Sequence, residues 1–225
     1  MDKPSVYLDH AATSPLSPKV LEAMMPYFTN HYGNPANLYS LGREAKRAII
    51  QSTLTISRLL NCRPDELIFT ASATESDQLA LAGIARANKD KGNKIIISAV
   101  EHKGIFSAAE LLKREGFEII TIPVQPNGLL DLVALEQALD DKTILVSITM
   151  ADSETGTIQP ISKISQLIKN FSPKILFHSD ATQAAVYQEI DLGKLGVDLL
   201  TISSHKFGGP KGAAQIGRAS CRERV

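Results

Sequence analysis

Short, unbroken apolar runs alternating with amphipathic stretches are the feature of this 225-residue chain that most restricts its fold. Residues 67–70, 94–99, 117–124, 143–150, 174–180 and 197–203 read as strands. Between them, residues 43–60, 72–88, 105–114, 131–140 and 161–169 carry apolar side chains near helical spacing. The second of these helices opens on Ser72-Ala-Thr-Glu75, a capping-box pattern. A strand that alternates apolar and polar residues has one wet face, whereas a continuous apolar run needs cover on both. The expected class is therefore α/β, with a mainly parallel sheet sandwiched by helices.

Residues 1–40 break the pattern and form a separate N-terminal segment in this reading. Tyr7 to Pro15 is expected to be a short strand and turn, Ser17-Pro18 starts a helix, and residues 31–41 form a loop that lines a site or a subunit interface. Residues 41–215 make up the alternating domain. Residues 216–225 show no strand or helix logic and are rich in arginine. They read as a translated adapter oligonucleotide, so a non-native tail on a truncated gene product is expected, a genuine basic terminus being the alternative.

Lys and Arg balance Asp and Glu at 24 each, which gives no reason to expect a nucleic-acid or membrane partner. No apolar run approaches the roughly 20 residues that span a bilayer. The first residues lack a signal-peptide core, and Cys62 and Cys221 make neither a disulfide framework nor a metal cluster. The expected setting is cytoplasmic.

Four loops follow predicted strands, at the edge where open α/β sheets bind ligands. Around Ala73 and Thr74, small residues at a helix start offer amide donors to an anion such as phosphate, or simply cap the helix. His102 follows the 94–99 strand, where it can stack on a flat ring, do acid–base work or merely pack. Asp180 ends the 174–180 strand, with Gln183 just beyond it. There it can hold a protonated pyridine nitrogen or act as an ordinary cap. In the fourth, Ser203-Ser204-His205-Lys206 precedes a glycine–proline turn. A lysine just past a buried strand is either an amine whose pKa burial lowers, ready to attack a carbonyl, or a solvated loop residue. Taken together, an anion loop, a stacking imidazole, a pyridinium carboxylate and an attacking lysine are what pyridoxal phosphate requires.

The chain resembles the class V aminotransferase group of fold type I pyridoxal-phosphate enzymes, and within it the cysteine desulfurases. The resemblance rests on Tyr7 to Thr13, Gly33-Asn-Pro35, Leu41 to Ala45, Phe69 to Asp77, Glu101-His-Lys103, Glu154-Thr-Gly156, Asp180 to Gln183 and Ser203 to Gly212, in family order. It implies that Lys206 bonds the cofactor covalently and shuttles the substrate's Cα proton. It also implies that His102 stacks on the ring, Asp180 pairs with its nitrogen, and Gln183 bonds its phenolic oxygen, with Ser153 near the same oxygen. Ala73, Thr74, Ser203 and His205 would hold the phosphate. The implied reaction takes L-cysteine or a related amino acid to L-alanine and passes the sulfur to an enzyme cysteine as a persulfide. A sulfur-acceptor protein and a homodimer partner are implied with it.

Several positions depart from the family pattern. Asp152 and Ser153 stand where two asparagines are usual, His10 replaces an asparagine, Tyr39 a histidine, and Ala71-Ser72 a Ser-Gly pair. The family continues into a small C-terminal domain with the sulfur-taking cysteine and a substrate-binding arginine. Cys62 belongs to none of the four site loops and Cys221 sits in the tail, so the fragment is expected to bind cofactor without turning over. Selenocysteine lyase, cysteine sulfinate desulfinase and a non-catalytic paralogue are the alternatives. A plain nucleotide-binding domain lacks its glycine fingerprint here.

Overall fold

The structure, a computed structural model, describes residues 6–217. Seven strands form one sheet: β1 Ile68–Thr70, β2 Lys94–Ser98, β3 Glu118–Ile122, β4 Thr143–Ser147, β5 Leu176–Asp180, β6 Leu199–Ser203 and β7 Ala214–Gly217. Their order is β1-β7-β6-β5-β4-β2-β3. β3, β2, β4, β5 and β6 pair in parallel, whereas β7 runs antiparallel to both β6 and β1. Two reversals restore direction, so β1 points the same way as the parallel strands.

Seven helices accompany the sheet: α1 Pro18–Thr29, α2 Ser40–Leu60, α3 Ala73–Ala87, α4 Lys103–Arg114, α5 Leu132–Ala138, α6 Ile161–Phe171 and α7 Leu192–Leu195. Side chains alternate across a strand, and here each face meets its own core. Ile95, Ile97, Leu145, Leu176 and Leu199 pack with α3 and α4 residues such as Leu81, Ile84, Ile105 and Leu112. Ile96, Val146, Phe177 and Leu200 face the other way, against Leu135, Ile161, Ile164 and Ile168 of α5 and α6. Double coverage explains the unbroken apolar runs: Ile95, Ile96 and Ile97 are all essentially inaccessible. Burying each side chain contributes roughly 1.5–3 kcal/mol.

Some expectations need correction. Tyr7 to Asp9 form no strand, and only a turn follows at residues 10–12. The irregular stretch ends sooner than residue 41, because α2 begins at Ser40. Ile216 and Gly217, read as the start of a structureless tail, belong to β7. Ile216 pairs with Thr201 on one side and Ile68 on the other, and is buried. Residues 218–225, including Cys221, lie outside the described residues.

The turn into β7 depends on glycine. Gly208 has φ +80°, a left-handed conformation that side chains disfavour, and a Cβ on Gly209 would lie 2.5 Å from that of Ser204.

Candidate active site

In a parallel sheet every strand delivers its following loop to one edge. The strand order reverses between β2, which leads outward to β3, and β4, which starts the run back to β6. Ligands bind at such a switch point. A cavity of about 270 Å³ opens there, lined by residues after β1, β2, β4, β5 and β6. Eight of the nine site residues expected from sequence sit on its wall: Ala73, Thr74, His102, Ser153, Asp180, Gln183, His205 and Lys206. Ser203 does not. It is buried at the end of β6.

At one end of the cavity is the start of α3. Ser72 is its N-cap, its Oγ accepting from the Glu75 amide at 3.1 Å. Glu75 reaches back to the Ala71 amide at 2.6 Å, one residue before the cap position the sequence pattern implies. The first-turn amides of Ala73 and Thr74 have no intrahelical partner and present the positive end of the helix dipole. His102 caps α4 in the same way, its Nδ1 accepting from the Gly104 amide at 3.1 Å. That bond leaves the proton on Nε2, so capping and facing the cavity are compatible roles for one imidazole.

Asp180 is buried on the wall, and its Oδ1 accepts from the Thr182 amide at 2.8 Å. Burial drives its carboxyl above the usual carboxylate range, against the pull of the Thr182 contacts and of His102 and Lys206. Lys206, on a short 3-10 turn after β6, is half-buried. Desolvation lowers its pKa, opposed by Asp180 and Asp9. Its Nζ donates to the carbonyls of Ala11 at 2.5 Å and Ala12 at 3.1 Å. Gln183 Nε2 donates to the same Ala11 carbonyl at 2.8 Å. His205 Nδ1 lies 3.1 Å from the Thr13 hydroxyl, and desolvation followed by the charges of Lys206 and Lys211 lowers its pKa. Residues 11–14 therefore cover the lysine loop, with the Ser14 amide donating to the His205 carbonyl at 2.8 Å.

Sequence reasoning missed Ala12, Ser72, Val100, Thr149, Ala151 and Thr182 as wall residues. Thr149 carried a readable signal, since it follows a strand as the other site residues do. Ala12 had none beyond its motif. Among the family departures, Asp152 turns into its own loop and accepts from the Glu154 amide and from the Thr155 amide and hydroxyl. Burial pushes its carboxyl up, but those donors prevail and hold it below its ordinary value. His10 and Tyr39 do not line the cavity.

A larger groove of about 420 Å³ lies between α2 and β7, lined by Ile56, Leu59, Phe69, Ile190 and Phe207 among others. It is almost wholly apolar and contains no lysine–carboxylate pair, so the chemistry belongs to the smaller cavity. Among the described residues no three His, Cys, Asp or Glu side chains cluster as metal ligands, and no helix is long and apolar enough to cross a membrane.

The arrangement has clear counterparts. Cysteine desulfurase IscS of Clostridium botulinum (strain Kyoto / Type A2) is 43% identical over 211 residues, which is 94% of this chain and 53% of that protein. The IscS of Methanosarcina thermophila is 42% identical over 212 residues, again 94% of this chain and 52% of the relative. Among solved structures, a NifS-like protein superposes with a TM-score of 0.94 at 34% identity, covering 96% of this chain and 59% of its own. A structure described as SspA in complex with cysteine gives 0.92 at 32% identity, covering 98% and 64%. The chain spans about half the length of the curated relatives it matches. With the aminotransferase class-V signature extending over residues 6–224, the chain belongs to that family, and its sheet is that of the NifS-like fold.

Proposed function

We propose that this chain forms the cofactor-binding part of a pyridoxal-phosphate-dependent cysteine desulfurase, which converts L-cysteine to L-alanine and transfers the sulfur atom to an enzyme thiol. The observation that carries the reading is one cavity wall on which a half-buried lysine of lowered pKa faces a buried carboxyl, beside the free amides of a helix start. The fit is chemical. A carboxyl raised by burial is best answered by a cationic ring nitrogen, and the helix amides by a phosphate. The relatives named above are cysteine desulfurases, which favours this reading over selenocysteine lyase or sulfinate desulfination.

In this reading Ala73, Thr74 and His205 hold the phosphate end, His102 covers one ring face, Asp180 holds the ring nitrogen and Gln183 the phenolic oxygen. Ser153, exposed on the cavity wall, stands near the same oxygen, and Ser203, buried at the end of β6, supports the phosphate end. The cofactor supplies an electron sink for charge developing at the substrate Cα. Lys206 Nζ, once free of the cofactor, takes and returns the Cα proton. Its lowered pKa keeps a larger neutral fraction at neutral pH, as a general base requires.

No cysteine of the described residues lies on the cavity wall. In this reading neither Cys62, which is off the wall, nor Cys221 takes the sulfur, and the chain alone is expected to bind cofactor without releasing alanine. A homodimer is supported by α1, which buries none of its residues although Leu21, Met25 and Phe28 are apolar. A sulfur-acceptor protein and a cytoplasmic setting complete the proposal, as does a division into an N-terminal segment to residue 40 and a cofactor-binding domain beyond it. Adding pyridoxal phosphate should give a visible absorption band that Lys206→Ala abolishes and Asp180→Asn weakens in affinity by about tenfold or more. An unchanged band in Lys206→Ala would remove the reading.

A further inference from the structure

Glu101 lies between the end of β2 and the start of α4, immediately before His102, and is buried. Its Oε1 accepts two hydrogen bonds, from the Ser98 hydroxyl at 2.6 Å and from the Thr149 amide at 2.7 Å. Ser98 is the last residue of β2. Thr149 follows β4 and leads to Ala151 and Ser153 on the cavity wall. The Thr149 hydroxyl lies 3.4 Å from the Asp180 carbonyl, and the Met150 amide donates to that carbonyl at 2.8 Å. One carboxyl oxygen thus ties the β2 end to the β4 end across the switch point, and the β4 loop is tied in turn to β5.

The other oxygen, Oε2, is buried without a hydrogen-bond partner. The ionisable groups acting on Glu101 across the packing are carboxyls: Asp180 from β5 and Asp77 from α3. His102 follows in the chain. A second anion here would be desolvated, without a cation beside it and repelled by Asp180, which outweighs the two bonds to Oε1, so the uncharged acid is the favoured state.

We propose that Glu101 is a positioning residue held as a neutral carboxylic acid: it fastens the loop bearing His102 to the loop bearing Ser153, and its neutrality reserves the site's negative charge for Asp180. The proposal rests on the cofactor reading above. Burial, opposed by the Ser98 and Thr149 bonds and assisted by Asp180, raises its pKa to about 8, in keeping with this assignment.

The test compares wild type, Glu101→Gln and Glu101→Ala. Pyridoxal phosphate affinity is measured by titration, and the pH midpoint of the bound cofactor's absorption is recorded alongside. The glutamine carbonyl can accept both bonds without charge. It should bind within about twofold of wild type with the same midpoint, whereas alanine should lose about tenfold or more, as lost supporting contacts do. A tenfold loss in Glu101→Gln, or a midpoint moved by about one unit, would show an acting anion and overturn the proposal. So would wild-type affinity in Glu101→Ala. If Glu101→Ala gives no cooperative melt, the glutamine variant decides alone. Absence of any cofactor band in wild type removes the functional reading and this proposal together, an outcome distinct from a defect confined to the variants.

Discussion

Buried titratable side chains set the chain's response to pH. Behind Asp180 on the same face of β5 lies His178, fully buried, with Ser147 Oγ 2.9 Å from its Nδ1 and Thr201 Oγ1 3.1 Å from its Nε2. The Asp77 carboxyl is 3.7 Å from that Nε2. The distance suits an ion pair, yet desolvation opposes both charges. It lowers His178 to about 3 and raises Asp77, whose shift Asp180 reinforces and the Thr201 hydroxyl opposes. The pair is therefore neutral. Asp77 and Glu101 hold protons in the folded state that the unfolded chain releases above its ordinary values of 3.8 and 4.5. Their stabilising effect is complete below those values and is lost as pH rises, for Glu101 through about 8. His178 has the opposite sign but acts only below its ordinary 6.5. Between roughly pH 6.5 and 8 the carboxyls act without it, and stability should fall with a slope on the order of 1 kcal/mol per pH unit for each. Thermal melts of the cofactor-free chain should show this decline, and Asp77→Asn and Glu101→Gln should each flatten it. A melting temperature that rises across this window would contradict the assignment. None of this was legible in the sequence, because what makes Asp77, Glu101 and His178 unusual is burial by segments distant in the chain. Lys206 and Asp180 were legible, since a charge at the end of an apolar run is anomalous where it stands.

Strands β2, β4, β5 and β6 could be read from composition, because a strand covered on both faces is mostly apolar, whereas the edge strand β3, with Glu118 and Thr121 exposed, was legible from its isoleucines alone. β7 was missed. It has four residues, it follows a glycine–proline turn, and one of its two partners, Ile68–Thr70, is remote in sequence. α3 was legible from its cap, and the Ser72–Glu75 bond confirms the local logic. Replacing Ser72 by alanine should destabilise the fold by about 1 kcal/mol, within the usual 0.5–2 range for a lost N-cap, as chemical unfolding can measure. Because Ser72 also lies on the cavity wall, the same variant should weaken phosphate-end binding. A variant with unchanged stability would mean that the cap bond contributes nothing net.

For the molecule as a whole, the parallel sheet gathers chemistry at one edge, and residues 11–14 latch over it through Ser14, His205 and Gly208. The first segment thus completes the site in space while standing outside the alternating pattern in sequence, which is why its Ala11 and Ala12 carbonyls were not foreseen beside Lys206. The central claim is that Lys206 is the lysine that bonds the cofactor. Incubation with pyridoxal phosphate, borohydride reduction and peptide mass mapping test it directly. The expected result is one stoichiometric addition, located on Lys206 and lost in Lys206→Ala. An unmodified Lys206, with label scattered over surface lysines such as Lys103 and Lys211, would contradict it.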